Sequence, residues 1–220
     1  MNIDEIETAL NHSDFQYRLQ AISALKDYQP EVAVPLLIGK CHDSEFLVRS
    51  FVAMGLGKQR TAESFAALLE IMKFDNTPNV RAEAASSLSL FGSVAISHLT
   101  QAFYQDDHWL VRRSILAVLT DMKSPSELFD VCIQALGGED PPVKEEAVDA
   151  IATLANSSQH EPALSQLLKL VHSESARIRT KVAYALKHFN DPQAQAALAQ
   201  LRQDTDHQVV GAALENLFSN

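Results

Sequence analysis

Seven short segments recur along the chain at a nearly constant interval: YRLQAISAL, VRSFVAMGL, VRAEAASSL, VRRSILAVL, VKEEAVDAI, IRTKVAYAL and VVGAALENL. Their second residues are Arg18, Arg49, Arg81, Arg112, Lys144, Arg179 and Val210, so the spacings are 31, 32, 31, 32, 35 and 31. A period of roughly 20–50 residues is the mark of a stacked array, in which no unit can bury its apolar face alone. That one regularity excludes most globular topologies.

Within each unit the apolar positions lie at −1, +3, +4 and +7 from the basic residue. In the fourth unit they are Val111, Ile115, Leu116 and Leu119. This spacing is one broad face of a helix. A second amphipathic segment stands upstream of each, such as SFAALLEIMK (64–73) or PALSQLLKLV (162–171). Each unit therefore reads as two helices, and the chain as an all-α superhelical solenoid of about seven hairpins spanning 1–220 as a single domain. The 35-residue spacing around NSSQHEP (156–162) is the one irregularity; it either bends the stack or lengthens a loop. Ser124-Pro125-Ser126-Glu127 reads as a capping box with proline at the first helical position. Thr77-Pro78, Asp140-Pro141 and Asp191-Pro192 place a capping residue before proline in the same way.

A charge among buried positions needs a partner. Arg112 shares its face with Ile115 and Leu119, whereas Arg113 turns to water. Acidic residues stand four to six places before the basic position: Asp14, Asp43, Asp75, Asp107, Asp140 and Asp204, with Ser173 in the sixth unit. A buried guanidinium can span to such a carboxylate in its own or the adjacent turn, which predicts a ladder along the stack. Val210 ends the ladder in the last unit, where a terminal repeat tolerates divergence.

Composition narrows the function classes. Eighteen basic against twenty-eight acidic side chains leave a net charge of −10, which opposes binding to phosphate backbones and to anionic lipid surfaces. Nucleic acid is not an expected partner. No apolar run approaches the ~20 residues of a membrane span, and the acidic N-terminus is unlike a signal peptide. Two distant cysteines, Cys41 and Cys132, form no disulfide framework and are expected to stay unbonded to each other. A cytoplasmic, reducing setting is the expectation.

Specificity must come from columns that vary. Offsets +2, +5 and +9 share one face of the second helix and avoid the buried set. They read Phe51, Met54 and Lys58; then Glu83, Ser86 and Leu90; then Ser114, Ala117 and Asp121; then Glu146, Asp149 and Thr153; then Lys181, Tyr184 and His188. Phe51 and Met54 are either exposed binding groups or packing against the neighbouring unit. Glu146 and Asp149, beside Glu145, are either ligand contacts or a solvated face. Trp109, like Phe15 and Phe46 at the same offset, fits best as a ridge between repeats. There is no HExxH, CxxC, nucleophile elbow, phosphate loop or dinucleotide fingerprint, and the eight histidines form no metal-ligand spacing.

The unit D-x4–5-V-R-x-x-A-x-x-A-L at about 32 residues resembles the HEAT-like repeat of the phycobilisome-lyase family over the whole chain. That resemblance implies handling of an open-chain tetrapyrrole such as phycocyanobilin, its partners being phycobiliprotein subunits, in attachment to or removal from a cysteine thioether. No short catalytic motif of the family transfers residue by residue. The variable face is compatible: Phe51, Met54 and Tyr184 as an apolar shelf, Lys58 and Lys181 for the propionates, and Glu83, Asp121, Asp149 or Glu146 toward the pyrrole N–H groups. Deoxyhypusine hydroxylase has similar repeats, but it needs several His-Glu pairs and only His160-Glu161 is present. A HEAT-type DNA glycosylase would need a basic groove. The serious alternative is a non-enzymatic adaptor that binds a protein along the same face.

Overall fold

The computed structural model describes residues 1–215, and all regular structure in it is helical. The chain divides into two compact units, Met1–Val118 and Leu119–Asn220. The first contains α1 (Ile3–Leu10), α2 (Phe15–Ala24), α3 (Pro30–Ile38), α4 (Phe46–Gln59), α5 (Ala62–Phe74), α6 (Pro78–Ser89) and α7 (Ile96–Gln105). The division falls inside α8 (Trp109–Asp121). The second contains α9 (Pro125–Gly137), α10 (Pro141–Ala152), α11 (His160–Leu170), α12 (Ala176–Leu186), α13 (Pro192–Leu201) and α14 (His207–Glu215). Each hairpin of the repeat is thus present, with the basic position near the start of its second helix.

In both units the helices form two layers. Second helices pack on second helices, α2 on α4 on α6 in the first unit and α10 on α12 on α14 in the second. First helices pack likewise, α3 on α5 and α5 on α7, then α11 on α13. The second-helix layer is the more tightly spaced. Gly57 of α4 shows why: a Cβ there would come within 2.8 Å of Ser87 Cβ on α6, so glycine permits the approach.

The frame positions bury as their spacing requires. Val48, Val52, Ala53 and Leu56 are fully buried, as are Val111, Ile115, Leu116 and Leu119. The terminal repeats depart from the frame. Tyr17, at −1 in the first unit, is half exposed and lies against His12, and Leu214 near the other end is also exposed. The 35-residue spacing is taken up in the α10–α11 connection by a 3-10 turn over Thr153–Asn156, followed by a tight turn before α11.

The rungs of the ladder join one repeat to the next, with the carboxylate at offset −6 wherever one is formed. Arg49 donates from Nε and Nη2 to Asp75 at 2.6 and 3.0 Å, and Arg81 does the same to Asp106 at 2.6 and 3.0 Å. Arg18 reaches Asp43 through Nη2 at 2.9 Å. In the second unit Arg179 grips Asp204 at 2.7 and 2.8 Å. The third guanidinium nitrogen turns back to carbonyls of its own turn: Arg49 to Asp43, Arg81 to Asp75, Arg179 to Ser173. Each aspartate also accepts the N–H two residues on, as Asp75 does from Thr77 and Asp106 from His108. One carboxylate therefore shapes its own turn and holds the preceding repeat. The expectation of Asp107 in the fourth unit is corrected to Asp106, because only −6 allows both bonds. Asp14 serves another purpose, capping α2 through Gln16 N–H.

Helix capping differs from the sequence expectation as well. Ser124 precedes Pro125, but its side chain is buried and makes no cap bond, so the expected box does not form. Thr77 and Asp140 likewise stand at N-caps without side-chain cap bonds, and the Thr77 hydroxyl instead accepts from Arg49. Asp191 caps α13 as expected. A reciprocal box that the sequence reading passed over joins Asn2 and Glu5.

A mixed face on the second-helix layer

None of the residues at offsets +2, +5 and +9 is buried, which the helical arithmetic requires. They fall into two groups, one in each compact unit. In the first unit Phe51, Met54 and Lys58 lie on one side of α4. Phe51 is half-buried, whereas Met54 and Lys58 are exposed. Glu83 lies on the adjoining α6, where burial raises its carboxyl pKa. Phe51 thus partly serves the packing of its own layer, and Met54 offers the open apolar surface.

The second unit brings Asp149 of α10 together with Lys181 and Tyr184 of α12. Lys181 Nζ donates to Asp149 Oδ2. Tyr184 Oη donates to Glu215 at 3.2 Å, and Lys187 Nζ stands over the Tyr184 ring, 4.5 Å from its centre, while also reaching Glu215 at 3.3 Å. Burial, with the Glu215 carboxylate close by, holds the Tyr184 phenol above its ordinary range. Two adjoining hollows of about 330 and 290 Å³ flank Tyr184 and share Asp149. His188 lines the first, and Glu145 and Arg177 line the second. Glu146 is half-buried on the same helix, one turn before Ala150. Asp121 is exposed at the last turn of α8.

The expected division of labour on this face changes in one respect. Lys181 and Asp149 are bound to each other rather than standing as separate cation and acid. Arg177 and Glu145, 3.8 Å apart, repeat that pairing one turn earlier. The i, i+4 spacing of Glu145 with Asp149 and of Arg177 with Lys181 was present in the sequence. Only the packing of α10 on α12 shows that the two rows face each other.

Other candidate groups have structural surroundings. His160 Nδ1 bonds the Ala155 carbonyl at 2.5 Å and its ring lies on Phe189. Arg112 stands over the Phe103 ring at 4.8 Å. Trp109 and Phe46 are both partly exposed. Both thiols are free; burial pushes Cys41 up to about 11 and Cys132 further still, so neither is poised as a thiolate at neutral pH. Among the described residues no group of three or more His, Cys, Asp or Glu side chains is placed to hold a metal, and no helix is long and apolar enough to cross a membrane.

The two-layer stack and its arginine ladder define a helical-repeat protein. The chain belongs to the HEAT-repeat family: models described as HEAT repeats match residues 3–89, 41–120 and 129–217. No curated protein matches the sequence. Among solved structures, the complex of CpcE and CpcF of phycocyanin lyase from Nostoc sp. PCC7120 is similar at 19% identity with a TM-score of 0.54, over 99% of this chain and 87% of that one. Kap95p, in a structure with RanGDP, is similar at 14% identity with a TM-score of 0.65, over 96% of this chain and 35% of that one. Human deoxyhypusine hydroxylase matches at 20% identity with a TM-score of 0.48, over 98% of this chain and 94% of that one. At these identities the likenesses to the phycocyanin lyase complex and to Kap95p establish the α-α superhelical fold.

Proposed function

We propose that this chain is a bilin-handling protein that acts on phycobiliproteins in the cytoplasm, detaching or transferring the chromophore during phycobilisome degradation or remodelling. One observation carries the reading: the likeness to the phycocyanin lyase complex spans nearly the whole of both chains. The repeat style, length and seven-hairpin layout suit a relative of the phycobilisome degradation protein NblB. In this reading the ligand is an open-chain tetrapyrrole such as phycocyanobilin, free or on its protein.

The chemistry of the face supports it. Met54 and Phe51 supply apolar shelf, and Tyr184 an aromatic wall beside its hollows. Lys58 is an exposed cation for one propionate. Lys181 meets the other by leaving Asp149, whose carboxylate is then free to accept pyrrole N–H bonds, so both ends of the broken pair are satisfied again. Glu83, Glu146 and Asp121 add further carboxylates for the same N–H groups. A bilin held protonated beside a carboxylate should show a red-shifted, sharpened visible band.

The test is to titrate the protein with free phycocyanobilin and with chromophore-loaded phycobiliprotein while recording visible spectra. Phe51→Ala with Met54→Ala should weaken binding several-fold to about a hundredfold, from about 25 cal/mol per Å² of apolar surface lost. Circular dichroism of that variant checks that half-buried Phe51 is not needed for folding. An unchanged spectrum with either chromophore source sinks the bilin reading. The second reading is an adaptor that binds a protein along this face. The mutual pairing of Lys181 with Asp149 and Arg177 with Glu145 favours it, since a protein partner needs no free charges there. Co-sedimentation with apo-phycobiliprotein, without any spectral response, would select it.

A further inference from the structure

One position in the ladder has the geometry of a rung without its charge. Ser173 occupies offset −6 of the sixth repeat, where Asp43, Asp75, Asp106 and Asp204 stand in theirs. Its backbone and hydroxyl do what theirs do. The Ser173 carbonyl accepts from Arg179 Nη1 at 2.8 Å, as those of Asp43 and Asp75 accept from Arg49 and Arg81 at 2.8 and 3.0 Å. Its Oγ accepts the Ser175 N–H, two residues on, at 3.3 Å, as the carboxylates accept from Thr77, His108 and Asp206. What Ser173 lacks is the bond to the preceding repeat.

The cation of that rung is in place. Lys144 holds the basic frame position of α10, which packs on α12. It is half-buried, and its ammonium makes no bond to any described residue. A serine hydroxyl is neutral and offers it no charge-assisted pair. A phosphoryl group on Oγ brings about −1.5 to −2 charges and three acceptor oxygens. The reach is conserved as well. Lysine carries its charge one bond nearer the backbone than the outer guanidinium nitrogens, and phosphoserine carries its oxygens one bond farther out than aspartate. The pair therefore spans what Arg49 Nη2 and Asp75 Oδ1 span at 3.0 Å. Ser173 lies in the connection between α11 and α12, half-buried between exposed His172 and Glu174, and it borders an open hollow of about 540 Å³. A modifying enzyme can approach it from solvent.

We propose that Ser173 is a phosphorylation site and that its phosphoserine closes the missing rung on Lys144. A protein serine kinase transfers the γ-phosphoryl group of a nucleoside triphosphate to Oγ. The Oγ–P bond forms, the β–γ anhydride bond breaks, the nucleoside diphosphate leaves and the hydroxyl proton is released. The same two helices carry Asp149 and Lys181. The modification thus fastens together the helices whose ion pair an occupant of that face has to open, whichever occupant that is.

Two measurements test this. Mass spectrometry of the full chain purified from its own cells should find a phosphoryl group on the tryptic peptide 170–177, at Ser173 rather than at Ser175. Phosphoserine installed at position 173 during translation should raise the melting temperature by about 2–4 °C. Lys144→Met should abolish that rise, and Lys144→Arg should keep it. Ser175 is the control, because it caps α12 through the Ile178 N–H and stands outside the ladder register. Whatever phosphoserine at position 175 does to the melt should be the same in the Lys144→Met protein. No phosphoryl group on Ser173 in protein from growing or stationary cells, no rise in melting temperature, or a rise that survives Lys144→Met would each overturn the proposal.

Discussion

The two units are built from the same repeat yet are held together differently. In the first, three successive rungs join Arg18 to Asp43, Arg49 to Asp75 and Arg81 to Asp106. In the second, Arg179 joins Asp204, and Lys144 makes no such rung to any described residue. The reason lies at offset −6. The sixth repeat has Ser173 there, which offers Lys144 no carboxylate. The apolar frame around Lys144 is nevertheless complete, with Val143, Ala147, Val148 and Ile151 buried like their counterparts. Burial is therefore sufficient to form the hairpin stack, and the ion ladder adds register and rigidity to a fold that apolar contact already defines. The second unit compensates on its exposed face, where Lys181 with Asp149 and Arg177 with Glu145 link α12 to α10.

Removing a rung from the first unit should have the largest effect. Arg49→Met strands the buried Asp75 and frees carbonyls of the Asp43 turn, at a cost of about 3–5 kcal/mol. Arg113→Met, at an exposed site, should stay within about 0.5 kcal/mol. Urea unfolding followed by Trp109 fluorescence reads the first unit directly, and equal midpoints for the two variants would refute the ladder's contribution. Arg112→Met, at a half-buried frame position against Phe103, should fall nearer to Arg49→Met than to Arg113→Met.

Breaking the rung of the second unit should cost less and should show in acid. Arg179 holds the Asp204 carboxyl below the usual carboxylate range through hydrogen bonds and charge. The depressed folded value means that this stabilisation is present above an unfolded pKa of about 3.9 and is lost as pH falls through the folded one. Asp204→Asn should lower stability at pH 7 by about 1.5–3 kcal/mol and flatten the decline below about pH 4. Circular dichroism against pH checks both. An Asp204→Asn protein with the wild-type acid limb would remove this rung from the comparison.

The close approach of α4 and α6 gives a slightly smaller effect. Gly57→Ala forces its new methyl against Ser87 and should destabilise by about 1–3 kcal/mol. Ser87→Gly on the same protein should restore part of that loss, and a thermal melt of the double variant tests the coupling. The smallest effect comes from building what the second unit lacks. Lys144→Arg with Ser173→Asp should install a rung and raise stability by about 0.5–2 kcal/mol. A gain from either single change equal to that of the pair would argue against a rung.

Much of this architecture was legible in the sequence because a repeat is a repeated experiment. The apolar positions at −1, +3, +4 and +7 recur often enough to fix helix, face and hairpin count, and the arginine stands out against them. The offset columns named residues that are in fact unburied. The ladder's partners were half legible. Aspartates were visible, but Asp106 and Asp107 are adjacent, and only the need to accept both a turn N–H and the preceding arginine selects Asp106. Capping was overread at Ser124 and Thr77, whose side chains were drawn into the interior and to Arg49.

The sequence by itself determined the period, the two-helix unit, the buried face and the presence of a charge ladder, since these follow from local spacing and from the cost of burying an unpaired guanidinium. Tertiary structure alone decided which residues of different repeats meet. It set Lys181 against Asp149 and closed Tyr184 on Glu215. Those pairings depend on the lateral offset of helices some 30 residues apart. Side-chain volumes at the helix contacts set that offset, as Gly57 against Ser87 does for α4 and α6, and no single repeat encodes it.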